Sequence, residues 1–250
     1  MAEWKAFTSL SEEQMQSIWN YDCKDPFAFL GIHPLQTDKG VKTVVRTYQP
    51  HASFVRAESM DGSVEFDFVK LGDSGFYEAV LDMDFEPFQY RLHITLPGGN
   101  IYHILDPYSF LPVLSDFDRY LINAGRHYEL YRKLGANLVT HQGIPGVHFA
   151  VWAPNAKSVA VVGSFNSWDG RRHPMRLLGE SGVWEIFIPE IGENELYRFE
   201  IHGMDGSLHV KIDPLAKLSE VRPATASITT HLDGYEWNDK LYMDTHHATG

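Results

Sequence analysis

Tyr48-Gln-Pro-His-Ala-Ser-Phe-Val55 is repeated 104 residues later as Trp152-Ala-Pro-Asn-Ala-Lys-Ser-Val159. Three further matches lie 107 residues apart: Gly75-Phe-Tyr77-Glu78 with Gly182-Val-Trp184-Glu185, Tyr90-Arg91-x-x-Ile94 with Tyr197-Arg198-x-x-Ile201, and Asp106-Pro107 with Asp213-Pro214. One shift, changed by a single three-residue loop difference, is hard to obtain by chance, and its period is that of a whole domain. The chain therefore contains two copies of one module, the first and the second repeat.

Short β-branched or aromatic runs separated by turn residues fill each repeat, and no alternation of strands with helices is visible. The predicted strands are Val41–Tyr48, Ser63–Val69, Gly75–Leu81, Phe88–Leu96 and Tyr102–Leu105, then Val147–Trp152, Ser158–Val162, Val183–Ile188, Leu196–Ile201 and Leu208–Ile212. This pattern predicts an all-β chain of two tandem immunoglobulin-like sandwiches. Four aromatic residues are the expected core of the second sandwich: Phe149, Trp184, Tyr197 and Phe199.

Helical signals occur outside the predicted strands. Ser11-x-x-Gln14 is a capping box followed by Met15, Ile18 and Trp19 at helical spacing. Residues 111–142 also show helical spacing and predict a helical connector, for which we expect no counterpart in the repeats. The predicted division is residues 1–22 (N-terminal helical segment), 23–110 (first sandwich), 111–142 (connector), 143–232 (second sandwich) and 233–250 (start of a linker).

Charge and composition limit the partners. The chain carries 21 basic and 33 acidic residues, a net charge of −12. Nucleic acids and anionic membranes attract the opposite balance, so neither is an expected partner. The single cysteine, Cys23, is expected as a small buried side chain, and a reducing, cytoplasmic location fits it best. No residue pattern predicts a catalytic site, a metal site or a bound cofactor.

One motif of the second repeat points to a binding site. Gly163-Ser-Phe-Asn166-Ser-Trp168-Asp169 follows a predicted strand and brings a tryptophan to a loop, where a flat ring can stack on a sugar. Packing of Trp168 in the core is the alternative. The first repeat has Asp61-Gly-Ser-Val64 at this place, without an aromatic residue. The fold does not need Trp168, which favours the binding interpretation.

Several stretches resemble bacterial glycogen (1,4-α-glucan) branching enzymes. They are Asp25-Pro-Phe-Ala-Phe-Leu-Gly31, Gly125-Arg-His-x-x-Leu-Tyr-x-Lys-Leu-Gly-Ala136, Phe149–Ala156, Gly163–Arg176, Gly182–Glu185, Leu196–Glu200 and Arg222-Pro-x-Thr-Ala-Ser227. The resemblance implies an N1 β-sandwich followed by a family-48 carbohydrate-binding module, both preceding an amylase-type barrel. That family cleaves an α-1,4-glucan chain and rejoins it through an α-1,6 bond, without a cofactor.

The resemblance also implies a glucan site and its limits. Trp168 matches the first tryptophan of the family site, Arg198 stands at the lysine position, and Val210 replaces a second tryptophan. Asn166, beside Trp168, is a further candidate for sugar binding. The catalytic carboxylates of the barrel have no counterpart here, so we expect no catalytic residue and no branching activity from this chain alone.

Two roles remain open for such a chain. One role is weak binding of α-1,4-glucan or glycogen. The other is that of a structural docking module that braces the catalytic barrel, in cis or in trans. Weak self-association is expected because four residues, Pro223, Trp237, Tyr242 and Met243, lie where the family would contact the barrel.

Overall fold

The computed structural model describes residues 8–38, 40–231, 238–239 and 243. The first repeat forms eight strands: β1 (Gly31–Thr37), β2 (Gly40–Tyr48), β3 (Phe54–Ser59), β4 (Glu65–Asp67), β5 (Val69–Lys70), β6 (Phe76–Asp84), β7 (Tyr90–Thr95) and β8 (Ile101–Leu105). They make two antiparallel sheets with the orders β1-β2-β6-β5 and β4-β3-β7-β8. The sheets bury an apolar cluster that includes Val45, Val55, Tyr77, Leu92 and Ile94.

The second repeat forms nine strands: β9 (Gly135–His141), β10 (Ile144–Trp152), β11 (Ala156–Gly163), β12 (Arg176–Leu177), β13 (Val183–Pro189), β14 (Leu196–Gly203), β15 (Leu208–Lys211), β16 (Leu218–Ser219) and β17 (Ser227–Ile228). Their sheets have the orders β12-β13-β10-β9 and β11-β14-β17-β16, and β15 also pairs with β14. The predicted all-β class of tandem sandwiches is confirmed. Because β9 pairs with β10, we place the start of the second sandwich at Gly135 and keep the other boundaries as proposals.

The residues predicted to fill the second core do so. Phe149, Trp184, Tyr197 and Phe199 are all fully or almost fully buried. They belong to one apolar cluster that also contains Met15, Ile18 and Tyr48 from the first part of the chain. The core of the second sandwich therefore extends to these residues of the first part of the chain, whereas the core of the first sandwich is a separate cluster.

Two helices, α1 (Glu12–Trp19) and α2 (Asp116–Asn123), each begin with a capping box. Ser11 accepts a hydrogen bond from the Gln14 amide at 3.1 Å, and Ser115 accepts one from the Asp118 amide at 3.1 Å. The helices lie 104 residues apart, as do β1 and β9 and β2 and β10. The expectation that the connector has no counterpart is therefore wrong, because α2 and β9 repeat α1 and β1.

A buried glutamate fixes the segment before each helix. Glu78 accepts a hydrogen bond from the Ser9 amide at 3.0 Å. Its counterpart 107 residues later, Glu185, accepts from the amides of Val113 and Leu114 at 3.2 and 3.1 Å. Both carboxylates lie on the outer face of a sheet, so each helix is held over the same face of its own sandwich.

Glu185 also forms a buried charge cluster with His148 and Arg176. His148 Nε2 lies 3.0 Å and Arg176 Nε 3.2 Å from the Glu185 carboxylate. Arg176 donates to the Phe110 carbonyl, and its guanidinium carbon lies 3.7 Å from the centre of the Phe27 ring. This Glu185 cluster thus connects the second sandwich to residues of the first repeat and of the connector.

The end of α1 packs against β11 of the second sandwich. Asp22 and Lys157 form an ion pair at 2.8 Å, and Ser158 donates its hydroxyl to the Tyr21 carbonyl. The Tyr21 ring stacks on His202 with the ring centres 4.7 Å apart. Cys23 is buried near this contact as expected, and burial raises the pKa of its thiol to about 11.

Other expectations concern the ends of the chain and membranes. Pro223 and Met243 are exposed, while Trp237 and Tyr242 lie outside the described residues. The described part of the chain has no helix whose length and apolar character would let it span a membrane.

Candidate functional site

The loop of residues 163–175, here called the Trp168 loop, leaves β11 and crosses the outer face of its sheet. Its backbone turns sharply, because Ser167 and Trp168 both have left-handed φ angles, 57° and 61°. Each such non-glycine residue costs on the order of 1–3 kcal/mol, so surrounding contacts must hold the turn. The loop begins at Gly163, where an added Cβ would lie 2.3 Å from the Leu196 carbonyl oxygen. Glycine is required there by this close approach.

The Asn166 side chain holds the turn from beneath. It is fully buried, and its Oδ1 accepts a hydrogen bond from the Gly163 amide at 2.9 Å. Its Nδ2 donates to the Val161 carbonyl at 2.9 Å and lies 3.0 Å from His173 Nδ1. In this conformation the amide has no surface at which a sugar could bind. Asn166 therefore acts on the shape of the loop.

His173 completes this arrangement as a neutral imidazole. Because Asn166 Nδ2 must donate, His173 Nδ1 must accept and carry no proton. Burial, with a further contribution from the charge of Arg172, lowers the pKa of His173 to about 3. The neutral form required by the hydrogen bond is thus the stable one near neutral pH.

Above the buried amide, Trp168 leaves 43% of its surface exposed. The guanidinium carbon of Arg198, on β14, lies 5.9 Å from the centre of the indole ring. Arg198 Nη2 donates to Thr225 Oγ1 at 2.7 Å, whereas its buried Nε has no partner among the described residues. Trp168 and Arg198 therefore form one amphipathic surface, a flat ring next to hydrogen-bond donors.

Val210 lies on the same side of this sheet. It pairs with Glu200 across β14 and β15, and Glu200 and Arg198 are two residues apart, hence on one face. Val210 is 45% exposed. The position of the second tryptophan in the family pattern thus holds a small aliphatic side chain on the sheet face that carries Arg198.

The first sandwich contacts the other end of the Trp168 loop. The Tyr108 hydroxyl lies 3.3 Å from the Arg172 carbonyl and 3.4 Å from the Pro174 carbonyl. Arg172 Nη2 donates to the Tyr102 hydroxyl at 3.3 Å. These bonds restrain the loop from the side opposite Trp168.

The structure thus brings Trp168 and Arg198 together and places Asn166 below them. Sequence reasoning missed Thr225, although it lies in one of the quoted motifs, because no spacing links residue 225 to residue 198. It also missed His173, because nothing in the sequence distinguishes this histidine from the others as the partner of Asn166. In the described part of the chain, no three histidine, cysteine, aspartate or glutamate side chains are grouped to hold a metal ion.

Two known family models match this chain, one on each repeat. The model described as alpha-1,4-glucan branching enzyme GlgB, N-terminal domain, matches residues 11–108. The model described as carbohydrate-binding module 48 (isoamylase N-terminal domain) matches residues 133–216, which include Trp168 and Arg198.

Several curated proteins that are similar to this chain are named 1,4-alpha-glucan branching enzyme GlgB. The chain is 45% identical over 220 residues to the 1,4-alpha-glucan branching enzyme GlgB of Methylococcus capsulatus, covering 88% of this chain and 29% of that protein. It is 46% identical over 222 residues to GlgB of Mesorhizobium japonicum, with 88% and 29% covered. For GlgB of Nostoc sp. the identity is 41% over 246 residues, with 98% and 32% covered. The chain thus spans about a third or less of these relatives.

Among solved structures, the chain is similar to the type I pullulanase of Bacillus subtilis in complex with maltose, with a TM-score of 0.36 and 17% identity. The match covers 79% of this chain and 26% of that one. The family matches and the curated relatives show that this chain belongs to the 1,4-alpha-glucan branching enzyme GlgB family and corresponds to its N-terminal region, a GlgB N-terminal domain followed by a family-48 carbohydrate-binding module.

Proposed function

We propose that the chain binds α-1,4-glucan through Trp168 and Arg198 and so positions glucan for branch formation in glycogen synthesis, in the cytoplasm. The observation that carries this proposal is the half-exposed indole of Trp168, held in a restrained left-handed turn beside a cation. A loop that serves only to connect strands needs neither this ring nor this backbone. Asn166 contributes by fixing the turn.

The chemistry of the surface fits a neutral sugar. The indole face can stack on the apolar face of a glucose ring, while Arg198 and Thr225 can hydrogen-bond to hydroxyls at its edge. One ring and a few hydrogen bonds correspond to an affinity of about millimolar. Because the ligand carries no charge, binding should change little with salt.

Replacing Trp168 with alanine tests the proposal. Retention of the chain in a glycogen-containing native gel should be lost. Because the indole is only partly buried, the free energy of unfolding should fall by only about 1–2 kcal/mol. Tyr128→Ala is the matched control, since Tyr128 is an almost fully exposed aromatic residue outside this surface. Unchanged retention of Trp168→Ala, or a loss of about 3–5 kcal/mol as for a core tryptophan, would contradict it.

A structural docking role is the second candidate. Its support is a group of exposed aromatic side chains on the connector: Phe117, Tyr120, Tyr128 and Tyr131. Exposed apolar groups of this kind mark interaction surfaces. In that role the chain would ignore glucan and bind the remaining part of a GlgB protein supplied separately. In either role we expect no branching of amylose by this chain alone, measured by iodine staining.

A further inference from the structure

A groove of about 550 Å³ opens on the opposite side of the second sandwich from the Trp168 loop. It lies on the outer face of the β9-β10-β13 sheet, between the end of α2 and residues 213–215. We call it the Trp152 groove. The lining residues used below are Asn123, Ala150, Trp152, Ser181, Asp213 and Leu215.

Comparison of the two repeats shows that Trp152 is unusual. Tyr48 occupies the same position in the first repeat, at the end of the corresponding strand. It is 4% exposed and packs on Phe76 with the ring centres 4.8 Å apart. Trp152, in contrast, is 59% exposed. Tyr48 is thus buried in the cluster that it shares with the second sandwich, whereas the aromatic side chain at the same position of the second repeat is left open.

Smaller side chains in the second repeat open the groove. Trp19, Arg46 and Tyr108 of the first repeat correspond to Asn123, Ala150 and Leu215, with which they share offsets of 104, 104 and 107. All three replacements are smaller, and all three line the groove.

In the first repeat Arg46 and Tyr108 are buried and Trp19 is partly buried against the core. The Trp19 indole donates to the Ser74 carbonyl at 3.0 Å, and Arg46 Nε donates to Glu78 at 2.9 Å. The counterpart of Ser74 is Ser181, on the wall of the groove. The second repeat keeps the architecture and lacks the side chains that fill it.

The polar groups of the groove suit a neutral ligand. Asp213 is buried and already accepts from the Tyr197 hydroxyl at 2.6 Å and from the Leu215 amide at 2.8 Å. The Asn123 side chain is exposed and makes no hydrogen bond within the described part of the chain. The groove thus offers an exposed indole, an available carboxamide and no unpaired charge among its described lining residues.

We propose that the Trp152 groove is a second binding site for α-1,4-linked glucose units. The ligand class rests on the proposed function, and most of the groove, although not Asn123, lies within the residues that match the carbohydrate-binding module. Its volume falls within the roughly 300–1,000 Å³ of small-molecule pockets. Trp152 supplies the stacking surface, and Asn123 supplies a donor and an acceptor for hydroxyl groups.

Two sites on opposite faces give the chain a property that one site does not. A single chain can hold two glucan branches at once, so retention on branched glycogen exceeds what either site gives with a short, monovalent oligosaccharide. Each site nevertheless remains weak by itself.

The test uses the full chain labelled with 5-fluorotryptophan, so that each tryptophan gives its own fluorine NMR signal, assigned by single substitutions. Maltotriose is titrated in, and cellotriose, with the same sugar units in β linkage, serves as the control ligand. We expect the Trp152 and Trp168 signals to shift with separate concentration dependences. The buried Trp184 signal should not move.

A filling variant tests the groove without removing its tryptophan. Asn123→Trp restores the residue of the first repeat at an exposed position. It should weaken the maltotriose response of Trp152 roughly fivefold or more and leave that of Trp168 unchanged. Asn123→Ala is the matched control, expected to reduce the response less because the groove stays open.

The outcomes separate the two proposals. A Trp152 signal that stays unmoved while Trp168 responds overturns this inference and leaves the proposed function intact. A Trp152 signal that responds while Trp168 does not supports the groove and overturns the role of Trp168. Equal responses of Trp152 to maltotriose and cellotriose, or a response that survives Asn123→Trp, would also overturn it.

Discussion

Replacing Arg176 with methionine removes one charge from the buried Glu185 cluster. Glu185 is fully buried, and the change removes the guanidinium that lies 3.2 Å from its carboxylate, leaving only the His148 imidazole beside it in the cluster. Methionine keeps an apolar chain of similar length against Phe27, so little packing is lost. Leaving a buried carboxylate without its cation costs about 3–5 kcal/mol. We expect a loss of this size in the free energy of unfolding.

Urea unfolding at pH 7, followed by tryptophan fluorescence, measures the loss. Arg56→Met is the matched control, because Arg56 pairs with Glu65 at 2.8 Å and with Asp67 at 2.6 Å but lies at the surface. Exposed pairs of this kind contribute at most about 1 kcal/mol. Adding Glu185→Gln to Arg176→Met removes the unpaired charge and should restore part of the stability.

The contribution of the Glu185 carboxylate to stability should also depend on pH. Burial alone would raise the pKa of Glu185, but His148, Arg176 and the Leu114 amide outweigh it and hold the pKa below its usual range. The carboxylate therefore stabilises the fold above its unfolded pKa of about 4.3, and this contribution is lost as the pH falls through the lower folded value. In Arg176→Met that loss should begin at higher pH. Equal stability losses for Arg176→Met and Arg56→Met would refute the reasoning.

Three further predictions concern the loop, the connector and association. Since burial lowers the pKa of His173 to about 3, thermal stability should fall as the pH drops below about 6.5, and His173→Asn should flatten that dependence in calorimetry. Trypsin should cut first after the exposed Arg126, and the fragments should co-elute because α1 and Tyr48 pack into the core of the second sandwich; a first cut inside β11 to β15 would contradict this. Sedimentation should show weak, concentration-dependent self-association, and a strict monomer at high concentration would exclude it.

The sequence predicted the two repeats, their antiparallel sandwiches and the aromatic core, because those features depend on identical or similar residues at a constant shift. It did not predict that α2 repeats α1. The two helices share a capping box, but they differ elsewhere, as Trp19 and Asn123 do. Trp19 packs on Phe76 in the first repeat, whereas Asn123 is exposed, so the side chain at this position changed while the helix kept its place.

The candidate site was predicted less completely. The GSFN-x-W motif identified the loop and its tryptophan, but the sequence does not tell whether a polar turn residue points outward or inward. Asn166 points inward, because three backbone or imidazole partners await it below the turn. Thr225 reaches Arg198 from a segment 27 residues away, and only the folded sheet brings these two together.

The contact between the sandwiches has a consequence for assembly. The α1 side of the first repeat meets the β11 side of the second, so two nearly equivalent units use different faces. Such a heterologous contact, unlike a two-fold one, does not close upon itself. Among the described residues, it leaves the α2 side of the second repeat and the β3 side of the first without the equivalent contact. The arrangement is therefore polar, with a different face of a sandwich left open at each end of the described part of the chain.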